Sequence, residues 1–322
     1  MKFRLRLSLK KHNCIWQVFL PFENKKNIKS VVSLYGWFSR LSFFSERNGY
    51  ARWLRTEKRQ VRYFRKSNST AFICMRYFIY FSYDGTNYHG WQIQPNAVSV
   101  QEKLNWALST ILRSEIETIG AGRTDTGVHA STMVAHFDFL EIENLQNLSA
   151  KLCRILPPDI SVKEIRKVSE TANARFDAIS RTYHYHVYTQ KNPFLRHYAV
   201  QLHFIPDFKL MNEAAAMLLT VEDFTSFSKL GTDVKTNICH VTRAHWVQVD
   251  DNLWRFEITA NRFLRNMVRA VVGTLLDVGR HKITLSEFQE IIRRKDRCAA
   301  GESVPGKALS LVNVVYPDSI FI

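Results

Sequence analysis

The sequence predicts an α+β fold with a mostly antiparallel sheet, and three observations support this. Residues 75–177 alternate extended and helical patterns in the order β-α-loop-β-α-β. From residue 178 onward, segments of period two again alternate with amphipathic helical segments. The polar turn Asp250-Asp251-Asn252 joins two neighbouring extended runs, which makes them an antiparallel hairpin.

The elements follow in order. Arg76–Tyr83 is rich in aromatic and β-branched residues and ends at the Asp84-Gly85 turn. Ser99 caps a helix whose apolar stripe is Val100, Leu104, Leu108 and Ile111. "MVAHFDF", from Met133, reads as a strand. "NLQNLSAKLCRIL", from Asn144, reads as a second amphipathic helix stopped by Pro157-Pro158. Ile160–Val168 is the next strand. In the second half, Ala178–Thr189 alternates as a strand, Asp207 opens a helix, and Lys229–His240 is a polar loop. The hairpin covers residues 242–250 and 253–260. Phe263–Gly279 reads as one helix with Leu264, Met267, Val268, Val271 and Leu275 on its apolar face. A shorter helix at 285–295 and a strand at 308–317 close the chain.

Charge is distributed unevenly. The 322 residues carry a formal net charge of +16, from 45 Lys+Arg and 29 Asp+Glu. Residues 1–74 hold 17 of the bases and 3 of the acids, leaving 28 bases against 26 acids from Met75 onward. The body must therefore meet any polyanion through local patches. The basic segment 1–74 has no sustained period. It reads as a basic N-terminal extension, either disordered or translated from a start assigned too early, with Met75 as the natural start; an organelle leader and a nucleic-acid-binding arm are the alternatives. No apolar run is long enough to span a bilayer. Five widely spaced cysteines without a C-x-x-C pair point to free thiols in a reducing compartment, and we expect a cytoplasmic location.

The stretch "AGRTDTGVHA", Ala121–Ala130, sets Asp125 between two glycines and behind Arg123. Neither phosphate-cradling glycine pattern is present, and no second carboxylate joins His129 or His136 at ligand spacing. His184 and His186 share a strand face without a third ligand. What remains open from the residues is a turn-closing aspartate or a nucleophile that is ionised at neutral pH without help. Arg262, Arg265 and Arg269, at i, i+3 and i+7, read as a solvated or phosphate-binding helical stripe, and Tyr183 reads as a core residue of its strand.

Five boxes in order then bring out a resemblance. Tyr83–Gln92, Gly122–Ala130, Ala174–Tyr183, Asp223–Phe227 and Phe263–Arg269 resemble the motifs of the TruA-type tRNA pseudouridine synthases, and the likeness extends from Met75 to Ile322. It implies the pseudouridine synthase fold, with two similar α/β halves, 75–177 and 178–322, flanking an active-site cleft. It implies isomerisation of uridine to pseudouridine at positions 38, 39 and 40 of the tRNA anticodon stem-loop, without metal or nucleotide cofactor, by a homodimer. Asp125 would be the nucleophile, Arg123 would take the place of the flipped nucleotide, and Arg269 would pair with Asp125. Tyr183 would stack on the flipped base and Leu309 would line the uracil pocket, with Arg262 and Arg265 facing the RNA backbone. The chain departs from the pattern at Ala308, where the family has glycine, and at Cys153, where it often has asparagine.

Overall fold

The computed structural model describes residues 74–229, 231 and 235–322, so the expectations for residues 1–73 lie outside the described residues. In chain order the elements are β1 (Cys74–Tyr83), α1 (Val100–Leu112), β2 (Ile119–Gly120), β3 (His129–Leu140), α2 (Leu145–Ile155) and β4 (Ile160–Val168). There follow β5 (Ser180–Tyr188), β6 (Val200–Gln201), α3 (Phe208–Met217), β7 (Val241–Asp250) and β8 (Leu253–Ala260). The chain closes with α4 (Met267–Gly279), α5 (Leu285–Arg294) and β9 (Leu309–Val315).

The strands form one nine-stranded sheet in the order β4-β1-β3-β9-β5-β8-β7, with β2 on β3 and β6 on β5. Two pairs, β3–β9 and β5–β6, are parallel and the rest antiparallel. This is the expected α+β plan. The order places β4, β1 and β3 on one side and β5, β8 and β7 on the other. Two register pairs, His129↔Ser310 and Ala130↔Leu311, join β3 to β9 between them. Because β3 begins at His129, the Ala121–Val128 loop stands directly at this seam.

Local chemistry explains most boundaries. Ser99 sits in extended backbone and its hydroxyl accepts from the Glu102 N–H, which starts α1. Val100, Leu104, Ala107 and Leu108 then bury their side chains. Each of the buried Val and Leu side chains there contributes about 1.5–3 kcal/mol relative to exposure. Asn144 caps α2 through the Asn147 N–H, and Asp207 caps α3 through that of Leu210. Thr284 and Glu287 form a reciprocal capping box on α5.

One helix differs from the sequence reading. Phe263–Asn266 is not helical, and α4 starts at Met267. Asn266 takes a left-handed backbone (φ 67°), and its amide donates to the Ser303 hydroxyl at 2.5 Å. Asparagine is among the few residues that tolerate this region. Arg262 and Arg265 therefore precede the helix, and only Arg269 belongs to it. The expected three-arginine stripe does not exist.

Candidate active site

Four segments meet at the seam of the sheet: the Ala121–Val128 loop, the start of β5, the 261–269 segment, and the 303–307 turn. The backbone of the first is held from several sides. The Ala121 N–H donates to the Val134 carbonyl, the Trp91 N–H to the Thr124 carbonyl, and the Gly127 N–H to the Tyr88 carbonyl. The Val128 N–H donates to the Asp125 carbonyl at 3.1 Å, closing a turn with Thr126 and Gly127 at its centre. Gly127 has φ +73°, as a turn with a positive φ at its third position requires. Gly306 packs against the same loop so closely that a Cβ would stand 2.6 Å from the Thr126 carbonyl oxygen. The glycine that precedes Ala308 thus supplies the close approach there.

The turn uses the backbone of Asp125 and leaves its carboxylate for two cations. Arg269 Nη1 donates to Oδ2 at 3.3 Å, and Arg265 Nε lies 3.8 Å from Oδ1. The pairs differ in setting: Arg269 is 23% exposed and Arg265 57%. Arg269 is further fixed by Nε donating to the Val304 carbonyl at 2.6 Å, and the Val304 N–H donates back to the Arg269 carbonyl. An exposed pair such as Arg265–Asp125 contributes at most about 1 kcal/mol to stability. Arg269 is the better-ordered partner.

Thr124, beside the aspartate, is buried, and its hydroxyl shares a 2.8 Å hydrogen bond with the Tyr83 phenol. Burial pushes the Tyr83 phenol well above the usual tyrosine range. Thr126 is exposed. Tyr183, on β5, is 8% exposed, and its ring meets Phe263 edge-on at 5.0 Å and 85°. Burial pushes its phenol up to about 12; the Arg181 guanidinium pulls the other way and the Asp125 charge adds to the rise. Leu309 is buried on β9 and pairs with Tyr185, while Leu311 pairs with Tyr183. Both leucines therefore share the sheet face of Tyr183. Arg123 is exposed and lines a small cavity with Gly122 and Arg175. Arg262 is half-buried near Arg181.

Two residues carry more than the sequence reading gave them. Arg265 faces Asp125. Arg181 is buried, and its guanidinium donates to the carbonyls of Ala121 (3.3 and 2.9 Å), Arg175 (2.5 Å), Ala178 (3.3 Å) and Asn261 (2.7 Å). It ties the Asp125 loop to the segment that carries Arg265. Burial lowers its pKa. The signal lay in the period of β5: Arg181 alternates with Tyr183, so both point to one face.

Among the described residues no group of three or more His, Cys, Asp or Glu side chains converges as a metal site, and His184 and His186 meet edge-on at 6.2 Å. No helix among them is long and apolar enough to cross a membrane. Their four cysteines are free.

The arrangement is a carboxylate hydrogen-bonded by Arg269, with a second guanidinium, that of Arg265, nearby and a buried tyrosine in the same site, which suits nucleophilic attack. The family model described as tRNA pseudouridine synthase matches residues 79–177 and 214–317. The chain is 60% identical over 248 residues to tRNA pseudouridine synthase A of Bacteroides thetaiotaomicron, covering 76% of this chain and 92% of that protein. It is 58% identical over 247 residues to the Bacteroides fragilis protein of the same name, covering 76% and 98%. With that of Bacillus subtilis it shares 39% over 241 residues, covering 74% and 97%.

Proposed function

The chain belongs to the tRNA pseudouridine synthase family, and from that premise we propose that Asp125 is the nucleophile with which it converts uridine to pseudouridine in the tRNA anticodon stem-loop. The enzyme is an isomerase of tRNA. The N1–C1′ bond of the target breaks and a C5–C1′ bond forms; the C5 proton leaves and N1 takes one up. The observation that carries the reading is the Asp125 carboxylate held by Arg269 and Arg265 within the family's matched span.

The targets are the uridines at positions 38, 39 and 40. A uridine inside a stem must be extruded to reach the carboxylate, at a cost of a few kcal/mol. Arg123, exposed at the rim, fills the vacated place in the stack. Tyr183 offers the flipped base an aromatic face, and such stacking contributes about 1–3 kcal/mol. Leu309 lines the uracil pocket, and Arg262 together with the exposed side of Arg265 meets the backbone. The site takes Asp125 from the half 75–177 and Tyr183, Arg265 and Arg269 from the half 178–322, with the cleft between them. The body from Met75 is nearly neutral, so a homodimer with the tRNA crossing both subunits supplies the basic surface. Its work is cytoplasmic.

Tritium release from tRNA labelled at uracil C5 tests the reading. The wild type releases label and Asp125→Asn does not. Equal release by the two proteins would remove the nucleophile assignment. No release by the wild type would point instead to an RNA-binding protein on the same fold.

A further inference from the structure

At Gly122 and Arg123, in the loop that carries Asp125, lies a cavity of about 160 Å³ to which the chemistry above assigns no ligand. Trp91, Gly120, Gly122, Arg123 and Arg175 line it. Its walls are fixed. The Arg181 guanidinium donates through one nitrogen, Nη2, to both the Ala121 and the Arg175 carbonyls, so a buried cation pins the two sides at a set width. Opposite, Gln101 donates to the Thr118 carbonyl at 2.7 Å and accepts from the Ile93 N–H at 3.0 Å. The Trp91 ring lies against Gly120, where a Cβ would meet it at 2.6 Å. At Gly122, by contrast, a Cβ would meet nothing within 4 Å. The space is open at the residue next to Arg123.

The charge of the cavity is positive and uncompensated. Arg123 and Arg175 are both exposed, and among the described residues neither makes an ion pair. A guanidinium fork without a carboxylate matches a phosphodiester oxygen pair. The Arg175 guanidinium lies 5.5 Å from the ring centroid of Phe176, which is 77% exposed. An exposed aromatic beside a cation suits a nucleotide better than a free anion, because a base can stack on the ring.

We propose that this cavity holds a phosphodiester of the RNA strand flanking the target uridine, with Arg175 as its anchoring cation. The inference rests on the reading of the protein as a tRNA-modifying enzyme. It adds a subsite that sets the register of the strand, so that one particular uridine faces Asp125.

The experiment uses the full-length protein and tRNAs in which the phosphates flanking the target uridine are replaced, one at a time, by uncharged methylphosphonates. One replacement should weaken wild-type binding by roughly tenfold, in line with the loss of a charged hydrogen-bonding partner. The same replacement should cost Arg175→Gln almost nothing further. For unmodified tRNA, the slope of log affinity against log salt should fall by about one in Arg175→Gln. Gly122→Ala adds a methyl group that meets nothing in the free protein, so it should fold normally and bind tRNA several-fold more weakly. If every neutralised phosphate costs the wild type and Arg175→Gln equally, or if both variants bind with wild-type affinity and salt slope, the subsite does not exist. Asp125→Asn separates the two readings: release of label by that variant overturns the nucleophile, whatever Arg175 does. An inactive Asp125→Asn together with a silent Arg175→Gln overturns the subsite alone.

Discussion

Asp125 is held by two arginines on unequal terms, and the difference can be measured. Arg269 is partly buried, anchored to the Val304 carbonyl, and donates to Oδ2; Arg265 is largely exposed at 3.8 Å. Arg269→Met should lower the single-turnover rate on the order of a hundredfold, the usual loss when a preorganised donor at a reacting charge is removed. Arg265→Met should cost less than about tenfold, with a stronger effect at low salt because exposed charges are screened. Equal losses for the two would contradict the assignment. At this scale the sequence was partly legible. Asp125 and Tyr183 stood out through the boxes that hold them. Arg265 also lies in such a box, but its pairing with Asp125 was not legible, because it depends on a left-handed residue at position 266 that interrupts the helical spacing. The period of β5 puts Arg181 on the face of Tyr183, but its partners are backbone carbonyls, and no sequence pattern marks a carbonyl as a ligand.

At the scale of elements, legibility followed local chemistry. The helices with side-chain caps at Ser99, Asn144, Asp207 and Thr284 start where the residues say. The start of α4 was misread because it has no capping side-chain bond and is set by the contact between Asn266 and Ser303. The short strands β2 and β6, two residues each, carry no period at all and exist only through their partners in the sheet. The capping box predicts a stability effect. Thr284→Ala removes acceptance from the Glu287 N–H and should cost about 1 kcal/mol, read as a lower denaturant midpoint at unchanged slope. A midpoint equal to the wild type would show that the cap contributes nothing net.

For the whole molecule, the seam matters most. The order of the strands was not legible, since parallel pairing of β3 with β9 joins residues 181 apart in the chain (His129 with Ser310) only through tertiary packing. That pairing puts the Asp125 loop beside segments from the second half, and Arg181 then fastens them. Two histidines, His136 buried and His186 partly buried, give the fold a pH dependence. Burial lowers His136 and His186 to about 4, against about 6.5 in an unfolded chain. Between these values the unfolded chain binds more protons. Stability is therefore complete above about pH 6.5 and falls as pH drops toward 4, by at most about 1.4 kcal/mol per pH unit for each histidine. Melting temperature should decrease as pH falls from about 6.5 to 5; a flat or rising profile would contradict the lowered proton affinity of both rings.

The function of the molecule is tested most directly by mapping pseudouridine in tRNA from cells that lack the enzyme, after treatment with the purified protein. The wild type should install pseudouridine at positions 38, 39 and 40, and Asp125→Asn at none of them. Pseudouridine at these positions from the Asp125→Asn protein, or at other positions alone from the wild type, would contradict the nucleophile or the site of action respectively.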